Sequence, residues 1–162
     1  MTETVTLVTP EMEQVKGVWG GEKTSDAIAE SDIRKWAIAT YWPETPPRIF
    51  WDAEYAKTTR WGGIVAAEDF NPFAWPVPIG GDAEPMGGLP GLIGANIMNG
   101  GQVDTFGVRM RPGDVITSRR RLSHWNERPG KAGLMLFSFY ESDWHNQDGE
   151  LVKTRMSTLI QY

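Results

Sequence analysis

The stretch that decides the fold of this chain is Ile49–Phe70, which reads IFWDAEYAKTTRWGGIVAAEDF. Asp52 is placed to cap a short helix, because its carboxylate can accept a free backbone N–H of the first helical turn. Gly62 and Gly63 supply the open backbone conformation that ends such a helix. The small apolar residues Ile64–Ala67 can then enter a core. This spacing alone fits a helix–turn–strand unit without any chemistry equally well.

Composition narrows the class of protein. The 162 residues fit one domain that spans 1–162, and a chain of this length buries about two-thirds of its extended surface on folding. There is no cysteine, which excludes disulfides, thiolate metal sites and cysteine nucleophiles. The net charge of −5 argues against nucleic-acid binding, and two histidines without a carboxylate motif make a poor metal site. No apolar run has the length of a membrane span and the N-terminus does not resemble a secretion signal, so we expect a cytoplasmic protein without a membrane partner.

The segments on either side of Ile49–Phe70 predict an arm, a strand and a flap. Residues 1–14 predict an extended arm, and Val15–Gly21 predict a first strand. Glycine and proline are so frequent in residues 70–101 that this segment predicts a long irregular flap, with a short helical piece near its start.

The C-terminal part of the chain alternates between apolar and polar residues, which predicts an antiparallel sheet. A strong hairpin signal, Asp-Gly, lies within the turn Asn146–Gly149. In the last strand, apolar residues from Val152 to Ile160 alternate with Lys153, Arg155 and Gln161, as in a half-buried strand.

The segment WDAEYAKTTRWGGIVA, residues 51–66, resembles the D-E-Y-A…G-G-I-(V/I)-A-P stretch of MaoC-like dehydratases and hydratases. Residues 111–115 resemble the RPGD turn of that family, and residues 146–152 resemble its last hairpin. The resemblance extends over residues 33–162 and points to the N-terminal-half type of domain, which is fused or paired with a catalytic one. It implies an α+β hot-dog fold, in which an antiparallel sheet wraps around a short central helix. It also implies acyl-thioester substrates on coenzyme A or a carrier protein, without another cofactor.

The loop before the Asp52 helix departs from the family pattern. Catalytic relatives carry an Asp-x-x-x-x-His dyad there, which acts on water and on C2 and C3 of the substrate. In this chain Phe50 stands where the histidine would be, and Glu44 is the nearest acid. Asn99 likewise replaces a histidine in the family's L-H-G-G-Q motif. Since phenylalanine cannot transfer a proton, we predict that this chain holds no catalytic residue and no metal.

Aromatic side chains border the segments where the resemblance places the acyl group. Their broad apolar area suits a bulky acyl group, and ordinary core packing is the equal alternative. The predicted substrate-binding residues are Phe50, Trp51, Trp61, Ile64, Phe70, Phe73, Trp75 and Asn99. Alternation puts Arg119 and Arg121 on one face of a strand, where they are predicted to hold the phosphates of coenzyme A or acidic groups of a carrier protein. A solvated sheet face is the alternative for these two arginines.

Together these features predict a substrate-shaping, non-catalytic subunit of an (R)-specific enoyl-thioester hydratase or 3-hydroxyacyl-thioester dehydratase. The expected partner is a catalytic MaoC-like chain, in a heterodimer or heterotetramer. One alternative is a stand-alone domain that binds acyl thioesters or serves assembly. Another is a homo-oligomeric enzyme with altered chemistry.

Overall fold

The computed structural model describes residues 6–74, 96–131 and 133–162. Within them an antiparallel sheet of five strands has the order β1-β3-β4-β5-β2. The strands are β1 (Lys23–Thr24), β2 (Ile97–Phe106), β3 (Thr117–Gly130), β4 (Gly133–His145) and β5 (Leu151–Gln161). The helices are α1 (Pro10–Val15), α2 (Glu30–Tyr41) and α3 (Ala53–Lys57), with a 3₁₀ turn at Arg48–Phe50. The predicted α+β class is confirmed.

Strands β3, β4 and β5 form the middle of the sheet and are joined by tight hairpins. Between β4 and β5, Asn146 Oδ1 accepts the N–H groups of Asp148 and Glu150 at 3.1 and 2.9 Å. Gly149 adopts a left-handed conformation with φ of +77°, which glycine tolerates without strain. The predicted hairpin at this position is confirmed.

The strand register gives the sheet two different faces, since directly paired residues project to the same side. The pairs Leu122–Tyr140 and Ser138–Leu159 lie on the inner face, which is buried. Helix α1 covers one end of that face through Met12, which packs with these apolar side chains. The other end of the inner face packs against α2 and residues Ile49–Phe70.

Residues Ile49–Phe70 form the elements that their sequence predicts. Asp52 Oδ1 accepts the N–H of Tyr55 at 3.0 Å and caps α3, and Gly62 has a left-handed φ of +64°. Residues Ile64–Ala67 are buried, and the N–H of Ala66 donates to the carbonyl of Met110 at 2.8 Å. The core around them contains Ile28, Ile33, Ala37, Phe50, Ala56, Ile64, Ala66, Ala67, Phe70, Met110, Ile116, Trp144 and Val152.

The predictions of an extended arm to residue 14 and of a strand at Val15–Gly21 are wrong. Residues Pro10–Val15 form α1 instead, because Thr9 Oγ1 accepts the N–H of Met12 at 3.4 Å. Proline is also favoured at the first helical position, where its missing N–H is not needed. Within Val15–Gly21 the chain makes only an isolated parallel bridge, between Lys16 and Leu122, and the first strand is β1. Residues 1–5 of the predicted arm lie outside the described residues.

The predicted flap at residues 70–101 is wrong at its C-terminal end. Residues Ile97–Gly101 belong to β2 and pair with β5, and the register shifts between Asn99 and Gly101. The glycines that suggested an irregular segment therefore belong to a β-bulge. Residues 71–74 form a turn, in which the N–H of Ala74 donates to the carbonyl of Asn71 at 3.1 Å. The rest of the predicted flap, 75–95, lies outside the described residues.

We expect the stability of this core to depend strongly on the Phe70 side chain. Its side chain is 1% exposed, and its ring meets that of Trp36 edge-on with centroids 5.6 Å apart. We expect Phe70→Ala to leave a cavity and to lower the free energy of unfolding by about 3–5 kcal/mol, measured by urea denaturation. The control Trp42→Ala removes a side chain that is 78% exposed. It should cost less than about 1 kcal/mol, and equal losses in both variants would contradict this description of the core.

Candidate functional site

An open cleft of about 540 Å³ lies between the end of α2, the 3₁₀ turn, residues 67–69 and the end of β2. We call it the Phe50 cleft. The rings of Tyr41 and Phe50 stand side by side in its wall, with centroids 6.1 Å apart. The residues that line it are Thr40, Tyr41, Phe50, Ala67, Glu68, Asp69, Phe106 and Arg109. Segments distant in sequence thus meet in one concave surface, which makes it the candidate site.

Phe50 is buried and belongs to the core beside the cleft. Its position after Pro46 and Pro47 is fixed by the 3₁₀ turn, in which the N–H of Phe50 donates to the carbonyl of Pro47 at 3.1 Å. No histidine is among the described residues that line the cleft. The wall at Phe50 therefore offers apolar surface and no group that could move a proton.

The two histidines lie elsewhere. His124 is on the outer face of the sheet, where its ring stacks on that of Phe139 with centroids 4.3 Å apart. His124 Nδ1 also lies 3.2 Å from Ser123 Oγ. His145 ends β4 and is half-buried. Neither ring borders the Phe50 cleft.

The structure brings together part of the predicted substrate-binding set. Phe50, Ile64 and Phe70 share the core, and Phe73 packs against it with its ring 5.2 Å from that of Trp144. Of these predicted residues, Phe50 also borders the cleft. Their role in substrate binding stays a prediction.

Three other members of the predicted set, Trp51, Trp61 and Asn99, do not line the cleft. Trp51 is exposed and donates its indole N–H to the carbonyl of Pro46 at 2.9 Å. Trp61 is half-buried, with the guanidinium of Arg60 4.5 Å from its ring centroid. Asn99 is exposed in the β2 bulge, toward the end of β2 away from the cleft. Trp75 lies outside the described residues.

Arg119 and Arg121 share the outer face of the sheet, as alternation predicts, but each is held by a carboxylate. Arg119 Nη2 lies 2.9 Å from Asp143 Oδ2, and Arg121 Nη2 lies 2.6 Å from Glu141 Oε2. The hydrogen bonds to Asp143 raise the pKa of Arg119 further above its usual range. Both guanidinium groups also stack on Trp19, at 4.4 and 4.3 Å. Their predicted contact with coenzyme A stays a prediction, and these ion pairs would compete with it.

Sequence reasoning missed one titratable group at the site, Lys153. Its position on β5 places it on the inner face, where its side chain is 2% exposed and Nζ lies 3.6 Å from the ring centroid of Trp144. Burial, together with the nearby Arg155, lowers its pKa to about 8, against the opposing effect of Asp104 and Asp69. Alternation groups Lys153 with the polar side of β5, so no sequence signal marked it as buried.

A salt bridge joins two residues that line the acidic side of the cleft. Arg109 Nη1 lies 2.7 Å from Glu68 Oε1, and the arginine also lies 5.5 Å from the ring centroid of Trp61. This pair compensates one of the two acids that the sequence places side by side at Glu68 and Asp69. The cleft therefore combines aromatic walls with a rim that carries one ion pair and one further carboxylate, Asp69.

The described residues contain neither a candidate metal site nor a helix that could span a membrane. In the described ranges, no group of three histidine, aspartate or glutamate side chains is arranged to hold a metal ion. Among the helices of the same ranges, none is long and apolar enough to cross a membrane.

Comparisons with known proteins place the chain in a family. A family model described as the FAS1-like dehydratase domain region matches residues 14–155. No curated protein sequence matches the chain.

Several solved structures share its fold. The ChsH1–ChsH2 complex from Mycobacterium tuberculosis matches with a TM-score of 0.75 and 17% identity, over 93% of this chain and 88% of that one. A MaoC-like dehydratase from Rhodospirillum rubrum matches with a TM-score of 0.59 and 18% identity, over 88% and 91%. The C-terminally truncated HadBC (3R-hydroxyacyl-ACP dehydratase) complex from Mycobacterium tuberculosis matches with a TM-score of 0.58 and 19% identity, over 90% and 96%. Since the family model covers most of the sequence and the sheet matches these structures, the chain belongs to the FAS1-like dehydratase region family and has the hot-dog fold of MaoC-like dehydratases.

Proposed function

We propose that this chain is the substrate-shaping, non-catalytic subunit of an enoyl-thioester hydratase or 3-hydroxyacyl-thioester dehydratase. A catalytic MaoC-like partner supplies the Asp and His dyad. The observation that carries the proposal is the buried ring of Phe50 beside an aromatic cleft. The resemblance to catalytic relatives puts their dyad histidine at this position of the sequence. Adding water to a conjugated double bond needs a base for the water and an acid for the α-carbon, and Phe50 can be neither.

The Phe50 cleft is suited to hold an acyl group rather than to react with it. Tyr41, Phe50 and Phe106 present apolar rings to the cleft, and such surface favours burial of an acyl chain. Glu68 is exposed, and its carboxylate forms an ion pair with Arg109 at 2.7 Å. An exposed, ion-paired carboxylate makes a weak general acid at neutral pH.

The unpaired edge of the sheet, at β2, is an argument for a protein partner. Strand β2 pairs with β5 on one side, and no other strand of the described residues pairs with it. It is ten residues long and carries exposed apolar side chains, among them Met98, Val103 and Phe106. Long apolar edge strands are normally covered, because they otherwise promote unspecific association. Two of the similar structures, ChsH1–ChsH2 and HadBC, are described as complexes.

A charge on this edge should prevent assembly. Val103 is 69% exposed on β2, so Val103→Lys should leave the protomer folded while its charge disfavours pairing with another strand. For the tagged chain purified after co-expression with its partner, we expect light scattering to show a mass near that of the 18.1 kDa chain for this variant, and a larger assembly for the wild type. The control is Val18→Lys, at an exposed position that follows α1 and is not on β2. An assembly that survives Val103→Lys, or is lost equally in Val18→Lys, would contradict β2 as the interface.

The proposed function is tested by co-expression with a catalytic MaoC-like chain from the same genome that carries the Asp-x-x-x-x-His dyad. The tagged chain should retain that partner through purification, and the complex should hydrate members of a panel of enoyl-CoA substrates. A stable homo-oligomer that binds acyl-CoA and retains no partner would instead support the stand-alone binding domain.

A further inference from the structure

Lys153 stands out among the cations near the Phe50 cleft, because it has no carboxylate of its own. Arg155 is bound to Asp104 at 2.7 Å, and Arg109 is bound to Glu68 at 2.7 Å. Over the described ranges no carboxylate oxygen lies within ion-pair distance of the Lys153 ammonium, and its close neighbour is the ring of Trp144. An ammonium buried without an oxygen partner is costly, so this arrangement calls for a ligand or a function.

A small cavity adjoins Lys153. Its volume of about 10 Å³ is the space of a single water-sized atom. Ala67, Glu68, Phe106 and Arg109 border both this cavity and the Phe50 cleft. The cavity beside the Lys153 side chain and the Phe50 cleft therefore adjoin each other along these four residues.

The surrounding charges keep this lysine positive at neutral pH. Asp69, from the chain before Phe70, and Asp104, from β2, favour the charged amine, while Arg155 on β5 disfavours it. Trp144 on β4 contributes the negative face of its ring. With its pKa at about 8, the group is mostly an ammonium at pH 7.

We propose that Lys153 binds the carbonyl oxygen of the thioester held in the Phe50 cleft. The inference rests on the proposed function, which supplies the thioester. The ammonium donates a hydrogen bond to that oxygen and so orients the thioester for the acid and base of the partner. Lys153 itself moves no proton.

The test compares two ligands that differ in the carbonyl group. Octanoyl-CoA carries the thioester carbonyl, and S-octyl-CoA has a methylene in its place. Isothermal titration at pH 7, with the full chain alone and with its co-purified partner, should show the wild type preferring octanoyl-CoA by about tenfold to a hundredfold. Lys153→Met, which keeps the length of the side chain, should bind both ligands alike. Lys153→Gln, which keeps a donor without the charge, should show an intermediate preference and serves if the methionine variant folds poorly.

Lys16→Met is the matched control. Lys16 also lies over an indole ring, that of Trp125 at 4.4 Å, but at the far end of the sheet's inner face beside α1. This variant should keep the wild-type preference. A wild type that binds both ligands equally well, or a Lys153→Met variant that keeps the preference, would overturn the inference and leave the proposed function standing. A wild type that binds neither ligand, alone or with its partner, would overturn the proposed function and the inference with it.

Discussion

Replacing His124 and His145 together by alanine is expected to leave the turnover of the complex within about tenfold of the wild type, a barrier change below about 1.4 kcal/mol. His124 stacks on Phe139 on the outer face of the sheet, and His145 lies at the end of β4. Neither borders the Phe50 cleft, so neither should meet the reacting atoms. Replacing the dyad histidine of the partner should instead cost about a hundredfold or more, because that change removes a proton-transfer group.

The measurement is steady-state hydration of an enoyl-CoA, with kcat and KM determined separately. The complexes are purified through a tag on this chain, so that each sample contains the same subunit ratio. A hundredfold loss of kcat in the double histidine variant, with the fold intact, would place an acid or base in this chain.

Lys153→Met is expected to stabilise the fold at neutral pH. In the folded chain the pKa of Lys153 is about 8, below its ordinary value of 10.5. The unfolded chain therefore binds more protons between these two pH values, and stability rises with pH across that window. Below pH 8 the full cost of holding the buried ammonium is present, and the difference in pKa corresponds to roughly 3 kcal/mol. Allowing for lost packing and the lost contact with Trp144, we expect Lys153→Met to gain about 1–3 kcal/mol at pH 7.

Urea denaturation of the variant and the wild type at pH 7 and pH 10 measures this gain. The stability difference should shrink at the higher pH, because the wild-type amine is then neutral in the folded chain. Lys57→Met is the control, since Lys57 is exposed and pairs with Glu54 at 2.7 Å on the surface of α3. It should change the free energy of unfolding by less than about 0.5 kcal/mol. A Lys153→Met variant that is less stable than the wild type at pH 7 would show that the ammonium supports the fold.

Local signals made part of the fold predictable. The Asp52 cap and Gly62 fix α3 and its end through backbone geometry that a few neighbouring residues decide. The Asp-Gly hairpin before β5 is local in the same sense. The start of α1 also has a local signal, Thr9 followed by proline, and the prediction of an extended arm overlooked it.

Other features depend on contacts that the sequence does not reveal. In the sequence, the glycines at residues 100–101 indicate an irregular segment. In the structure they lie in a β-bulge of β2, which is defined only by the pairing of β2 with β5. Sequence alternation assigns Lys153 to a polar side of β5. Only the packing of Trp144 and of residues 67–68 shows that this side is buried. The Phe50 cleft is assembled from segments far apart in the chain, so its shape follows from tertiary packing and not from any single motif.

The most direct test of the account is the rate at which the purified chain alone hydrates enoyl-CoA, compared with the same amount of chain in the complex. The account predicts no detectable hydration by the isolated chain and robust turnover by the complex. A robust rate from the isolated chain that disappears with Glu44→Ala, His124→Ala or His145→Ala would contradict it and would make this chain an enzyme in its own right.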